Sequence, residues 1–577
     1  MKKFFKENLV AKLLGILFIV SILLTWIVPS SEINGAQIVK GSAIRIGFSD
    51  LPVTFSTAMS FILDKIVFII AIAIFYGILS NTKAYKKIIN NITKKFKGKE
   101  LAFVIGTTFT MTLLSTMLSQ TYVMLIFVPF LFTIIVNLKL NKITAFASTV
   151  GAILLGSFGA LYGTEGLMYL SAYLTKTDKL LQDSTIIYRL CILLVAFGLY
   201  VFFLYFNVKS QLTSKKSKKE DLTNDEFIVE EIKDKKVKLL PIKIVLILLT
   251  LFIILGFINW NTIFGIKAFD NFHAWLNNLK IGKDFYLVSY ILGANAQAFG
   301  QWTLYQMSVV LIVLAIFTSI LYSVKIDEFI ENSSKAITKA LKPIIVFVFI
   351  YTIFIVIYLS GITPTIAKHT FAKDNIPQLN IDYNGAGIAF FNIDQNDDGK
   401  ADYNLVNQDL NNDHKCDLNC DTDNDGFPDA KLDFNADKVS NEIDENIKVQ
   451  LTAKSYLNLD IDEDGKTDIN IDNSFNLPKM LIGSIIIHTF NVEVGYTGYV
   501  LSAYLQQSYT TENINVVFMV LLTIFGLIQF IIPTATLLIL GIEYTGVSYK
   551  EWIKYIWRFV LGMLLVLLLI FICMLIL

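Results

Sequence analysis

Residues 101–137 read LAFVIGTTFTMTLLSTMLSQTYVMLIFVPFLFTIIVN, and the sequence runs on to 175 with almost no charge. A helix crossing the hydrocarbon layer of a bilayer uses about 20 apolar residues. This run does not divide into such units, because Ser115, Ser119, Gln120 and Thr121 interrupt it in the middle. The spacing predicts a re-entrant hairpin over 101–137 that turns at those polar residues, then a broken span over 143–175. Residues 478–545 repeat the pattern, with a hairpin over 478–507 and a broken span over 514–545. Irregular backbone at membrane depth is tolerated only where protein or a water-filled cavity satisfies it. Both regions therefore belong to an interior and not to a lipid face.

Apolar runs of spanning length recur at 9–28, 61–80, 186–207, 241–260, 303–323, 343–361 and 557–577. Hydrophobic residues make up 54% of the chain and charged ones 17%, against roughly 25% charged in soluble domains. No single soluble core absorbs that much apolar sequence, so the expected fold class is an all-α polytopic membrane protein. The first run, 9–28, exceeds the apolar part of a secretory signal, about 7–15 residues, and reads as a retained span. Lysine and arginine near span ends set orientation. The basic clusters Lys2–Lys6, Lys83–Lys99, 209–243, Lys325–Lys342 and Lys550–Arg558 all fall inside if the first hairpin returns to the cytoplasm and the second to the outside. The expected protein is multi-pass in the cell membrane, with a cytoplasmic N-terminus.

Two hairpin-plus-broken-helix units of opposite sense make an inverted repeat, with two discontinuous helices. Such units meet near the bilayer midplane, where transporters of this design place their substrate. The chain then divides into an N-terminal membrane half (1–208), a charged cytoplasmic linker (209–240), the first part of the C-terminal half (241–369), an insertion (370–477) and the closing hairpin and broken helix (478–577). Four cysteines make no disulfide framework, and Cys191 and Cys573 read as small packing residues within apolar spans. No basic patch with interleaved aromatics points to nucleic acid.

The insertion 370–477 holds 24 acidic residues against eight lysines, half of all the acids in the chain, and the topology puts it outside the cell. Three copies of Asp-x-(Asp/Asn)-x-Asp-Gly-x-x-Asp stand out: Asp394, Asn396, Asp398 and Asp402; Asp421, Asp423, Asp425 and Asp429; Asp460, Asp462, Asp464 and Asp468. Alternating oxygen ligands around a glycine turn suit Ca²⁺, which takes six to eight oxygens. Twelve residues from the first Asp, where an EF-hand has Glu, stand Leu405, Leu432 and Ile471. The copies resemble instead the shorter calcium loops of thrombospondin type 3 and dockerin modules. Cys416 and Cys420 lie in the same segment, and nothing in the sequence forces them to pair.

Ionisable groups deep in apolar segments are costly and point to function. Glu165 lies in the glycine-rich interruption Gly159–Gly166, next to Thr164, and Glu493 lies with Asn491 at the expected tip of the second hairpin. Each carboxylate either holds a coupling Na⁺ or H⁺ or sits at the interface. Ser119, Gln120 and Thr121 offer hydroxyl and amide groups at the first tip. Pro533-Thr534-Ala535-Thr536 breaks an otherwise apolar span, where proline frees a carbonyl and a half-helix N-terminus attracts carboxylate. The candidate substrate and ion ligands are thus Ser119, Gln120, Thr121, Gly159, Thr164, Glu165, Asn491, Glu493, Pro533, Thr534 and Thr536. His488 reads as a packed or interfacial histidine.

At these residues the chain resembles a known group. Trp26-Ile27-Val28-Pro29 looks like the Trp/Tyr-Ile-x-Pro motif of the YfcC-like carriers, grouped with the C4-dicarboxylate anaerobic carriers of the ion transporter superfamily. Ile532–Thr536, then Gly546–Lys554 with Tyr549, Trp552 and Lys554, resembles that family's Pro-Thr-Ser tip and following Tyr-x-x-Trp-x-Lys helix. The resemblance implies two hairpins, two discontinuous helices and alternating access. Three positions depart from the pattern: Ala535 replaces a serine, Phe158-Gly159-Ala160-Leu161 replaces Asn-Pro-Phe, and Ser119-Gln120-Thr121 replaces glutamates.

The expected activity is ion-coupled secondary transport of a small organic anion, amino acid or short peptide, with no enzymatic chemistry. The expected partners are that solute and the lipid bilayer, and a homodimer is left open. The competing reading is a membrane-anchored calcium-binding or adhesion protein without transport.

Overall fold

The computed structural model describes residues 9–34, 37–42, 44–175, 184–213, 227–234, 236–282, 285–293, 296–371, 391–393, 403–405, 431–433, 442–443, 476–508 and 511–576. The twelve expected calcium ligands, with Cys416 and Cys420, lie outside the described residues.

Helix α1 (Leu9–Ile27) leads into an antiparallel ribbon of β1 (Ser31–Asn34) and β2 (Gln37–Lys40). Then come α2 (Leu51–Leu79) and the lysine-rich amphipathic α3 (Lys83–Phe96). Helix α4 (Glu100–Met117) stops, and the chain resumes in tight 3₁₀ turns over Thr121–Phe127 and in α5 (Val128–Asn137). Helix α6 (Lys142–Phe146), a π-helical turn (Ala147–Gly151) and α7 (Ala152–Phe158) form one continuous helical run. It is interrupted before α8 (Glu165–Leu170), which passes into a second π turn, Ser171–Thr175.

Helices α9 (Ile186–Thr213) and α10 (Leu240–Phe257) follow. Short elements come next: α11 (Trp260–Phe264), α12 (Ala268–Asn277), β3 (Lys280–Ile281) paired with β4 (Phe285–Tyr286), and α13 (Leu287–Leu292). Helices α14 (Leu304–Leu321), α15 (Ile326–Leu359) and α16 (Ile362–Phe371) precede a small antiparallel sheet. Its strands, in spatial and chain order, are β5 (Phe391–Ile393), β6 (Tyr403–Leu405), β7 (Lys431–Asp433) and β8 (Glu442–Ile443). The chain closes with α17 (Leu477–Phe490), α18 (Val494–Ser508), α19 (Thr511–Ile528), α20 (Thr536–Thr545) and α21 (Tyr549–Ile576).

Among the described residues, eight helices are long and apolar enough to cross a membrane: α1, α2, α4, α9, α10, α14, α15 and α21. Their outer faces expose Leu194, Ile247, Val309 and Leu569, each more than 55% accessible. Apolar side chains lined along so many helices are unstable in water but ordinary against lipid. Helix α15 is central, since 72% of its most apolar window is buried, against 22% for α1 and α21. It packs most extensively along α2.

Four expectations shift. Helix α2 begins at Leu51 rather than 61, and α15 begins at Ile326 rather than 343. In α15 an amphipathic, charged segment stays helical through pairs such as Lys335–Glu331 at 2.5 Å and continues past Pro343 into the apolar part of the same helix. Cys191 and Cys573 are exposed rather than packed inside, because both lie on outward faces of their helices. Ser115 is not part of a turn: it is buried in α4, and its hydroxyl donates to the Ile153 carbonyl at 2.8 Å.

Two devices tie the lysine-rich ends together. Linker residues 227–234 lie along α3 and α5: Lys94 pairs with Glu231 at 2.5 Å, and Asn137 donates to the Phe227 carbonyl at 2.8 Å. Hydrogen bonding to Lys94, followed by its charge, holds the Glu231 carboxyl below the usual range. Second, Lys342 of α15 reaches Glu543 of α20 at 2.6 Å; the glutamate side chain is 4% exposed and the lysine 66%. Removing the lysine strands a nearly buried carboxylate, whereas Glu543→Gln strands no buried charge. We expect Lys342→Met to destabilise by about 1–3 kcal/mol, between exposed and buried pairs, and Glu543→Gln by less. Thermal melts of the two variants check the order.

Candidate functional site

Four helix interruptions converge from different parts of the chain. The first, Leu118–Gln120, ends α4. There the Ser119 N–H donates to the Phe257 carbonyl at 2.8 Å, pinning the turn to the end of α10. The side chains of Ser119 and Gln120 make no hydrogen bond to any described residue. The second interruption, 159–164, lies against the first: the Gly163 N–H donates to the Thr116 carbonyl at 3.0 Å. Arg189 of α9, 1% exposed, donates to the Leu161 carbonyl, so a buried guanidinium takes up a carbonyl freed by the break.

The third interruption, Asn491–Glu493, is held by its own side chains. Fully buried Asn491 donates to the Thr497 hydroxyl at 2.7 Å and accepts from the Glu493 N–H at 3.0 Å. The fourth runs from 529 to 535. Pro533 supplies no N–H there, and the buried Thr534 hydroxyl donates to the Thr489 carbonyl at 2.8 Å, binding this break to α17. Helix α20 starts immediately afterwards, with no side chain capping its first N–H groups.

Cross-links join the two halves. Tyr122, directly after the first break, shares a 2.5 Å hydrogen bond with Thr536 at the start of α20. Helix α8 packs on α18. A Cβ at Gly526 of α19 would come 2.6 Å from the Phe158 Cα, so only glycine permits this approach beside the second break.

Of the expected ligands, the structure draws Thr534, Thr536, Asn491, Glu493 and the Ser119–Thr121 turn into this junction. Thr164 is buried at the second break. Gly159 faces elsewhere: a Cβ there would meet Leu193 of α9 at 2.5 Å. Glu165 opens α8. His488 is fully buried, its ring edge-on to Phe525 with centroids 5.0 Å apart, and neither ring nitrogen has a partner. Of the two expectations for it, packed or interfacial, the burial is that of a packed side chain.

Sequence reasoning missed the charges that matter most. Asp64 and Lys65 sit at the middle of α2, 3.6 Å apart. The Lys65 ammonium lies 5.8 Å from the Tyr122 ring centre and 6.0 Å from that of Tyr351, within reach of cation–π attraction. Tyr351 of α15 donates its hydroxyl to Glu493. A chain of contacts thus runs from Glu493 through Tyr351, Lys65 and Tyr122 to Thr536. The signal was present, an adjacent acid and base inside an apolar run. Starting that run at residue 61 placed the pair at its edge.

Comparison of the chain with family models, with curated proteins and with solved structures finds no match. Fold and composition alone define the class: an all-α, multi-pass membrane protein, with eight apolar helices of spanning length among the described residues.

Proposed function

We propose that the chain is a secondary transporter that moves a small organic anion, amino acid or short peptide by alternating access, coupled to Na⁺ or H⁺. The observation that carries the reading is the Tyr122–Thr536 hydrogen bond of 2.5 Å, which joins the break after α4 to the break before α20. In this reading α4–α5 and α17–α18 are re-entrant hairpins, α6–α8 and α19–α20 are the discontinuous helices, and the two sets form an inverted repeat. Freed carbonyls and hydroxyls at such a junction suit a small cation, and a half-helix N-terminus suits a carboxylate. Purified protein in proteoliposomes tests it: uptake of an organic acid, amino acid or dipeptide should follow an imposed Na⁺ or H⁺ gradient. Stabilisation by no solute and accumulation of none would sink the transport reading.

The insertion is proposed to bind Ca²⁺ outside the cell. The reading rests on the three copies of the acidic pattern, which begin at Asp394, Asp421 and Asp460. Alternating carboxylates at that spacing repel one another without a cation. Titration of the full chain with Ca²⁺ by calorimetry should give saturable binding, abolished by Asp→Asn changes at 394, 398, 421, 425, 460 and 464. Deletion of 375–475 should remove that binding and leave uptake in place; saturable Ca²⁺ binding by a full chain that accumulates no solute would favour the surface-module reading.

A further inference from the structure

We propose that the junction selects a zwitterion, a free amino acid or a short peptide with both termini intact, over a dicarboxylate. The inference rests on the transport reading and narrows its substrate. Around Tyr122 and Tyr351 the described side chains supply one ammonium, Lys65, and two carboxylates, Asp64 and Glu493. Of the other ionisable groups near the breaks, Arg189 is engaged on the Leu161 carbonyl and Glu543 on Lys342, while His488 is buried against Phe525 with neither ring nitrogen partnered.

The charges at the junction have bonding capacity left over. Lys65 carries three donors, yet its nearest carboxylate oxygen is 3.6 Å away, beyond the 2.7–2.9 Å of a charge-assisted hydrogen bond. It forms no hydrogen bond with any described residue. Glu493 accepts the Tyr351 hydroxyl on one carboxylate oxygen, and its other oxygen accepts nothing from the described residues. Tyr351 links the two sites, its ring towards the ammonium and its hydroxyl on the carboxylate.

A dicarboxylate entering this junction would bring two negative charges to a place that already holds two against one positive. Away from bulk water that excess is strongly repelled. A zwitterion matches what is unfilled: its carboxylate meets Lys65, and its ammonium meets the free oxygen of Glu493. Both bonds are charge-assisted, and no net charge is added to the membrane interior. Glu493 is therefore the specificity-determining residue for the amino group, and Lys65 for the carboxyl group.

The test uses the purified full chain in proteoliposomes. Melting-temperature shifts and uptake are measured with the twenty common amino acids, alanyl dipeptides, the N-acetylated form of each, and succinate, fumarate and malate. At least one unblocked amino acid or dipeptide should stabilise and accumulate, and which of the two does so fixes the length of the substrate. Its N-acetylated form and the dicarboxylates should bind at least about tenfold more weakly, the worth of one charged hydrogen bond. Glu493→Gln should erase the preference for the free amine, and Glu493→Asp should restore part of it; both variants are checked by their melting curves. Preferred uptake of succinate, fumarate or malate would overturn the proposal and leave transport standing, as would equal handling of free and acetylated amines. No response to any probe would overturn both.

Discussion

Gly163→Ala is expected to lower the melting midpoint of the purified protein by roughly 2–3 °C, or to prevent folded protein from accumulating. A methyl group at this position would lie 2.0 Å from the Met117 carbonyl oxygen, 2.2 Å from its carbon and 2.7 Å from its Cα. All three atoms are backbone, so no side chain can rotate away. Relief demands that the end of α4 and the interruption at 159–164 move apart, which breaks the Gly163–Thr116 hydrogen bond of 3.0 Å. Overpacking of this kind costs about 1–3 kcal/mol where the neighbours can yield, and here the upper end applies. Gly106→Ala is the internal control: it lies on α4, the helix whose end Gly163 meets, and a Cβ there meets nothing within 4 Å. That change should be neutral or stabilising by up to about 1 kcal/mol, because alanine is the better helix former. Equal melting of the two variants would show that the close approach does not exist.

The contrast between these two glycines explains how far the sequence could be read. Both stand in apolar runs, and nothing in their local sequence distinguishes a glycine that faces lipid from one pressed on a carbonyl from another segment. The interruptions themselves were legible, because Leu118–Gln120, 159–164, Asn491–Glu493 and 529–535 all carry polar, glycine or proline residues inside apolar stretches, where lipid would leave the backbone unsatisfied. Which break meets which was not legible. The Tyr122–Thr536 and Thr534–Thr489 bonds join residues whose sequence neighbours give no hint of pairing. Nothing in the sequence sets Tyr122 and Tyr351 apart from the chain's other tyrosines, 25 in all. Helix ends misled in a different way: charged residues at 326–342 resembled a cytoplasmic loop, while their spacing of three and four supports a helix. That helix is what carries Lys342 to Glu543.

Lys65→Met is expected to cut uptake by about 30-fold or more while leaving the melting midpoint unchanged or raised. The two halves of that expectation come from one fact, the position of an ammonium at the middle of a spanning helix. A lysine at the centre of a membrane helix costs about 2.5–3.5 kcal/mol, and cation–π contacts with Tyr122 and Tyr351 return only about 0.5–2 kcal/mol of it. Methionine keeps much of the length and apolar volume of the lysine stem, fills irregular gaps and removes the cost. A residue retained for stability would behave in the opposite way, lowering the melting midpoint when replaced. For binding, loss of a charged hydrogen bond to a substrate carboxylate removes about 1.5–3 kcal/mol, roughly 10- to 150-fold in affinity. Asp64 complicates the single variant, because it loses its only cation within 4 Å among the described residues. The double change Asp64→Asn with Lys65→Met removes that penalty, so it should melt at or above the single variant and remain inactive. Wild-type uptake by the double variant would exclude Lys65 from the transport path, whatever its melting point.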